Sequence, residues 1–393
     1  MHLGAPGLID EGYTGALAVE GGSISAVIEA WAPRDSIPWR TQEPWENSSV
    51  EFRSLGATGL KVSVLSFGTM SFAGEQQSVI GTTDVPEARR LLDRCLDVGI
   101  NLIDTADVYA SGESERVLGE ALKGRRNRVI LATKVNGRMG DGPNDRGLSR
   151  SHIIDACEAS LRRLGTEWID LYQVHSWDGQ TSLEETLSAL DYLVRSGKVR
   201  YIGCSNYSAW HLMKALGVAE RLHVQGYATQ QINYSLLVRE AEYELVPIAI
   251  AEGVGILVWS PLAGGFLTGK FRRGETPVEG TRFAAQGNRD SFDLEHGYDV
   301  LEVVAEMAEA RGVSPAQIAL NWLTHRAGVS SVIIGARTEE QLADNLNTAT
   351  WTLSNDELAR LDELTVPRIL YPYWHQQFSA RLGPADSWPR PSL

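Results

Sequence analysis

Eight short apolar runs recur along the chain, each followed by a stretch with helical period, and each ends in a polar group. The runs are Val62–Gly68, Gly99–Ala106, Val129–Lys134, Ile169–His175, Val199–Asn206, Ala228–Ser235, Gly255–Pro261 and Ser330–Arg337. Eight buried strands alternating with helices predict the α/β class and, within it, a (β/α)8 barrel of the TIM type. In that architecture the C-terminal strand ends and the loops after them form the active face. Function is therefore to be read from the eight endings, which are Gly-Thr, Asp-Thr-Ala, Thr-Lys, Val-His, Ser-Asn, Gln-Ile-Asn-Tyr, Trp-Ser-Pro and Gly-Ala-Arg in chain order.

Composition narrows the partners more than the fold. At 393 residues and 43% hydrophobic the chain has material for one large core, and its net charge of −14 with no long Lys/Arg run argues against nucleic acid or an anionic membrane surface. Cys95, Cys157 and Cys204 lie far apart without paired spacing, which argues against disulfides and a zinc site. With no apolar run of transmembrane length and no signal-peptide pattern, a reduced cytoplasm is the expected setting.

Residues 1 to about 50 are rich in Gly, Ser, Pro and Trp without a sustained period, and are expected to be a poorly ordered extension outside the barrel domain of residues 51–393. A leader, a translation-start artefact and a clamp on a neighbouring subunit are all open readings of it. The alternation from Glu51 to Leu55, resuming at Leu60, predicts a small hairpin capping the barrel floor. Two helical stripes illustrate the exterior packing: Ala88, Leu91, Leu92, Cys95 and Leu96 within Val85–Val98, and Leu183, Leu187, Leu190, Leu193 and Val194 within 182–196.

The longest irregular connection runs from Leu262 to about Phe292 and carries Gly264, Gly265, Gly269, Lys270, Arg272, Arg273 and Arg282. Loops of this length are functional or disordered. Gly264 to Lys270 nearly spells a P-loop, but Phe271 stands where a hydroxyl must hold Mg²⁺, so triphosphate hydrolysis is disfavoured. A glycine-rich backbone beside Lys and Arg can still cradle a pyrophosphate, and a solvated basic loop is the plainer alternative. No Gly-x-Gly-x-x-Gly turn follows a strand, so a dinucleotide would have to bind the barrel itself.

Asp104, Tyr109, Lys134 and His175 come from the ends of strands two, three and four and the loop after strand two. A buried Lys beside a carboxylate stays protonated, and an ammonium beside a phenol favours the phenolate. Tyr109 is then a candidate general acid toward a carbonyl oxygen, His175 a hydrogen-bonding partner of the same oxygen, and Asp104 the anchor of Lys134. Taken singly each residue reads more simply as structural, and the combination carries the argument.

The chain from about Glu51 onward resembles the aldo-keto reductase superfamily. The resemblance lies in Gly99-Ile-Asn-Leu-Ile-Asp-Thr-Ala-Asp-Val-Tyr109 with Gly112-Glu-Ser-Glu115, in Thr133-Lys134, in Tyr172-Gln-Val-His175, in the segment Gly197 to Asn206, and in Ile334 to Asn345. Trp259-Ser-Pro-Leu262 and Gly269-Lys-Phe271 make it similar to the branch of bacterial aldo/keto reductases and potassium-channel β subunits. The resemblance implies an Asp/Tyr/Lys/His tetrad and NADPH bound in extended form. It implies further that Ser205, Asn206 and Gln231 meet the nicotinamide carboxamide and that Trp259 stacks on the ring. Ser260, Leu262, Gly264 and Lys270 are implied around the pyrophosphate, and Thr69 and Arg282 as further cofactor contacts. Arg337, Gln341, Asp344 and Asn345 are implied at the adenosine end, with Arg337 on the 2′-phosphate. Gly335-Ala336 replaces the Lys-Ser pair of another branch, so phosphate selectivity rests on Arg337 and Arg282.

Met70, Phe72 and Trp177 are expected to line the substrate pocket, and the aromatic tail Tyr371 to His375 to line or cover it, to pack on the barrel or to form an interface. The expected activity is reduction of a small-molecule aldehyde or ketone to the alcohol. The alternative is an NADPH-binding module that reports redox state to a protein partner with slow catalysis, for which a homo-oligomer is the expected form; an inactive scaffold is the third reading. No metal is required.

Overall fold

Period-two alternation within the apolar runs builds the barrel, because it turns every second side chain to the axis. The computed structural model describes residues 50–74, 81–276, 279–288 and 292–380. The N-terminal extension up to residue 49 and the tail beyond residue 380 lie outside the described residues. Strands β1 (Phe52–Ser54) and β2 (Lys61–Ser63) form an antiparallel hairpin with Phe52 opposite Ser63. Strands β3 (Leu65–Gly68), β4 (Leu102–Asp104), β5 (Ile130–Val135), β6 (Ile169–Val174), β7 (Val199–Ser205), β8 (Thr229–Asn233), β9 (Gly255–Trp259) and β10 (Val329–Ile334) close into a parallel barrel in which β10 pairs with β3.

The barrel interior is layered by the same alternation. Leu102, Ala132, Leu171, Leu257 and Ile333 form one apolar layer, and Leu55 and Val62 of the hairpin close it from below. Two residues further along three of these strands stand Asp104, Lys134 and Gln173, all buried, so the next layer is polar. The register aligns Asp104 with Ala132 and Lys134 with Gln173 across neighbouring strands. The opposite faces carry Ile103, Leu131, Tyr172, Ile202 and Ile256, which pack beneath the helices.

Helix boundaries follow from side-chain chemistry. The helix Val85–Val98 is opened by Asp84, whose carboxylate accepts from the Glu87 amide, with a proline in its first turn; it buries Ala88, Leu91, Leu92, Cys95 and Leu96 as the stripe requires. The helix Leu183–Arg195 buries Leu183, Leu187, Leu190 and Leu193 and leaves Val194 only partly covered. No helix among the described residues is long and apolar enough to cross a membrane.

Two expectations change, and one open reading closes. The first run, Val62–Gly68, is two strands, because the Ser63 hydroxyl donates to the Leu65 carbonyl at 2.6 Å and turns the chain from hairpin to barrel. Val64 marks the corner: its amide bonds Glu51 and its carbonyl accepts from Val332. The connection after β9 is not irregular. It contains a 3-10 turn at Ala263–Thr268 and a helix at Arg282–Gln286, with Phe266 surrounded by Phe271, Phe283, Phe292 and Tyr298 at ring separations of 5.1–5.6 Å. Phe271 is thus a buried packing residue. The aromatic tail packs on the outside, where Tyr373 stacks on Tyr243 of the helix Ala241–Glu252 at 5.1 Å, while Tyr371 and Trp374 are exposed.

Candidate active site

The polar layer opens into a cleft of about 790 Å³ whose walls include Asp104, Tyr109, His175, Ser205, Asn206, Gln231 and Trp259. Lys134 lies behind this wall, fully buried, because its position on β5 faces the axis one layer above Ala132. Its ammonium donates to Asp104 Oδ2 at 2.5 Å, to the Thr105 carbonyl at 2.8 Å and to Tyr109 Oη at 3.4 Å. Burial by itself pushes the Lys134 ammonium down, but the Asp104 carboxylate and the Tyr109 hydroxyl outweigh it, and the net direction is up. Lys134 is therefore a fixed positive charge aimed at the phenol.

Asp104 is held from its other side as well, since Oδ1 accepts from Gln231 Nε2 at 2.9 Å and from Gln173 Nε2 at 3.3 Å. Gln173 has no assigned role in the sequence reading. The signal was present in the period-two position, two residues before His175 and facing the axis. Tyr109 begins a 3-10 turn after β4 and meets the His175 ring edge-on, centroids 5.8 Å apart. A carbonyl oxygen entering the cleft would thus meet a phenol from the turn after β4 and an imidazole just past β6, on either side of the β5 strand that carries Lys134.

At one flank the residues expected around a nicotinamide interlock. The Ser205 hydroxyl donates to the Gln231 carbonyl at 2.9 Å, and Asn206 Nδ2 donates to the His175 carbonyl and to Ser205 Oγ, each at 2.9 Å. Trp259 Nε1 donates to Asn206 Oδ1 at 3.2 Å. The indole is thereby fixed at the cleft wall with its plane set by a hydrogen bond.

Along the cleft, Ser260, Leu262, Gly264, Gly265, Lys270 and Arg282 follow. Gly264 and Gly265 have φ of 67° and 96°, and a Cβ at either would meet nothing within 4 Å, so the bare backbone is open toward the cleft. That cradle, flanked by Lys270 and Arg282, fits a dinucleotide's pyrophosphate. Arg272 and Arg273 take no part: Arg272 donates to the Gly269 and Phe271 carbonyls, and Arg273 pairs with Glu295 and Asp299.

The far end is lined by Arg337, Gln341, Asp344 and Asn345, joined by Glu340, which the sequence reading passed over. Arg337 Nη1 donates to the Gly280 carbonyl at 3.2 Å, which ties this end to the loop after β9. Gln341 Oε1 accepts from the Arg337 amide, Asn345 Nδ2 donates to the Gly335 carbonyl, and Asp344 accepts from Ser314 and Gln317. Gln341 and Asn345 therefore also brace the local backbone, and Asp344 is tied to the start of the helix Pro315–Thr324.

Among the expected pocket residues, Met70 lines the cleft. Phe72 does not, being fully buried with its ring 6.0 Å from Phe67. Trp177 stands outside the lining as well, half exposed against His211 at 4.3 Å. Thr69 is buried and hydrogen-bonded to Ser114 Oγ at 3.0 Å, beneath the cleft surface. Val108 and Ser71, absent from the sequence reading, do line it.

The sequence pattern of the aldo/keto reductase family matches residues 64–366. The chain is 38% identical over 304 residues to a probable voltage-gated potassium channel subunit beta of Arabidopsis thaliana, covering 76% of this chain and 90% of the relative. It is 40% identical over 326 residues to the uncharacterized oxidoreductase YrpG of Bacillus subtilis, covering 80% and 96%. It is 33% identical over 344 residues to the versiconal hemiacetal acetate reductase of Aspergillus parasiticus, covering 82% and 99%. Together with the closed eight-stranded barrel, these matches establish that the chain belongs to the aldo/keto reductase family and is an oxidoreductase.

Proposed function

We propose that the protein reduces an aldehyde or ketone to the alcohol with NADPH, Tyr109 supplying the proton. The observation that carries this is the buried Lys134 ammonium, which reaches both Asp104 and the Tyr109 hydroxyl behind the cleft wall. Held in the cleft, a reduced nicotinamide would supply the hydride for the carbonyl carbon. As charge develops on the carbonyl oxygen, Tyr109 Oη transfers its proton there, and the negative charge that appears on the phenol falls beside Lys134. Asp104 keeps Lys134 in place, and Gln173 and Gln231 keep Asp104 in place. His175 orients the oxygen against Tyr109. Ser205, Asn206, Gln231 and Trp259 would hold the nicotinamide, the Gly264–Gly265 backbone with Lys270 and Arg282 the pyrophosphate, and Arg337 the 2′-phosphate.

The test is NADPH consumption with aromatic aldehydes, quinones and cyclic ketones. Tyr109→Phe is expected to lose ~10²–10⁴-fold in kcat while still binding NADPH. Arg337→Ala is expected to erase most of the NADPH-over-NADH affinity ratio. Unchanged turnover in the first variant ends the proton-donor reading, and an unchanged ratio in the second ends the 2′-phosphate assignment. The channel-subunit names among the relatives favour a second reading, a redox-reporting module for a protein partner. Slow turnover with tight NADPH retention in the wild type would select it, and fast turnover with ready NADP⁺ release would reject it.

A further inference from the structure

Beneath the loop that carries Tyr109 lies a second buried charge cluster, and the proposed reaction leaves it without a task. Asp107, two residues before Tyr109, is fully buried, and neither of its carboxyl oxygens makes a hydrogen bond. An unpartnered buried carboxylate is costly, so such a group favours its neutral form. The groups that face it are Glu115 on the helix Glu113–Ala121, Arg163 on the helix Arg150–Leu164, Lys134 on β5 and the Tyr172 phenol on β6. Both cations are engaged elsewhere. Arg163 Nε donates to Glu115 Oε2 at 2.6 Å, and Lys134 serves Asp104, Thr105 and Tyr109. Glu115 is held further by the Thr133 hydroxyl at 2.6 Å, so Glu115 takes the nearby guanidinium and Asp107 is left without an ion pair. Burial first, then the Glu115 charge, pushes the Asp107 carboxyl up to about 7, against the opposing pull of the Val108 amide, Arg163 and Lys134.

The loop above this cluster is strained. Ala110 and Ser111 have φ of 46° and 53°, the left-handed region that L side chains enter only at a cost. Gly112 then rests on the cluster itself, where a Cβ would fall 2.8 Å from Arg163 Cδ. At the other end the Asp107 amide donates to the Lys134 carbonyl at 3.2 Å. One end of the segment bearing the phenol is thus tied to the Lys134 backbone and the other lies against the Arg163 side chain.

We propose that Asp107 is a positioning residue for Tyr109: neutral, it allows the strained segment Asp107–Gly112 to hold the phenol on the Lys134 ammonium, and ionised, it draws Arg163 and Lys134 toward itself and moves the phenol away. The inference rests on Tyr109 as the proton donor. It predicts that the rate of reduction depends on a proton that never reaches the substrate.

The experiment is the pH profile of kcat and KM from 5.5 to 9 with NADPH and an aromatic aldehyde. It compares wild type with Asp107→Asn, Glu115→Gln and Tyr109→Phe. Wild-type kcat is expected to fall at least ~5-fold through a break near 7, with KM nearly constant. Asp107→Asn is expected to keep the acid-side kcat within ~3-fold and to lack the break. Glu115→Gln, which removes the like charge and releases Arg163, is expected to move the break to lower pH, and it carries the test alone if Asp107→Asn does not fold. A flat wild-type profile, the same break in Asp107→Asn, or an upward move in Glu115→Gln overturns the proposal. Undiminished turnover in Tyr109→Phe would instead remove the proton-donor reading. Amide exchange of residues 105–116 separates the two, because it needs no turnover. Faster exchange in wild type than in Asp107→Asn above pH 7, with equal rates at pH 6, supports the positioning role, and equal rates at both pH values overturn it.

Discussion

Lys134 and Asp107 are both buried ionisable groups, and they meet burial in opposite ways. Lys134 has three acceptors around its ammonium and keeps its charge; Asp107 has only the weak pull of the Val108 amide, short of a full hydrogen bond, and favours its neutral form. Linkage gives the second case a sign. The Asp107 carboxyl titrates near 3.8 when unfolded and at about 7 when folded. Between those values the folded state binds the extra proton, so stability is highest below the lower one, falls as pH rises through the window, and levels off above 7. Asparagine cannot titrate, and Asp107→Asn should therefore gain stability over wild type with rising pH. Going from pH 5 to pH 8 crosses about two units of the window, worth roughly 2–3 kcal/mol. Urea unfolding of both proteins at the two pH values measures it. A stability gap that stays constant, or that shrinks at pH 8, would show that the Asp107 carboxyl does not take up its proton in this window.

Between strands and helices, the elements that hold the cofactor cleft differ in how far the sequence reveals them. The barrel strands were legible because period two is a local property: Leu102 then Asp104, Ala132 then Lys134, and Leu171 then Gln173 each announce an apolar layer followed by a polar one. Fixed strand ends also placed Asp104, Lys134 and His175 at or behind the cleft wall, with Tyr109 on the turn after β4, and the helical stripes followed from period 3.6. The corner at Ser63 was not legible, because it depends on one hydroxyl reaching the Leu65 carbonyl. The order within the loop after β9 was hidden for a similar reason. Phe266, Phe271, Phe283, Phe292 and Tyr298 follow neither period and meet only in three dimensions. Trp177 and Phe72 were misplaced because the residue type gives no direction for a loop side chain. That aromatic cluster has a testable consequence. Phe266 is fully buried and touches rings on both sides of the loop, so Phe266→Ala should cost ~3–5 kcal/mol locally. Most of that loss should appear as loop opening rather than barrel unfolding. Trypsin cleavage after Lys270, Arg272 or Arg273 should rise at least ~10-fold and the NADPH Kd should rise by a similar factor, at nearly unchanged kcat under saturation. An unaltered Kd would mean that the loop does not hold the cofactor.

At the scale of the whole molecule two fields act on an anionic cofactor with opposite signs. The chain carries a net charge of −14, which would repel the phosphates of the proposed NADPH, whereas Lys270, Arg282 and Arg337 line the cleft and would attract them. In water a pair of unit charges ~20 Å apart interacts by roughly 0.2 kcal/mol, and a pair ~5 Å apart by roughly 0.8 kcal/mol. With the three cleft cations set aside, the other described residues carry an excess of 12 negative charges, and at these separations the two fields each come to roughly 2–3 kcal/mol per ligand charge. Salt separates them, because the Debye length is ~30 Å at 0.01 M, ~10 Å at 0.1 M and ~3 Å at 1 M. Passing from 0.01 to 0.1 M removes most of the distant repulsion and leaves most of the local attraction; passing on to 1 M removes the attraction as well. The NADPH Kd should accordingly fall and then rise, with a minimum near 0.1 M salt. Fluorescence titration across that range, repeated with Arg337→Ala, checks both fields: the variant should keep the low-salt improvement and lose part of the high-salt decline. A Kd that rises monotonically from the lowest salt would mean that the cleft cations alone govern binding, with the acidic exterior too remote to matter.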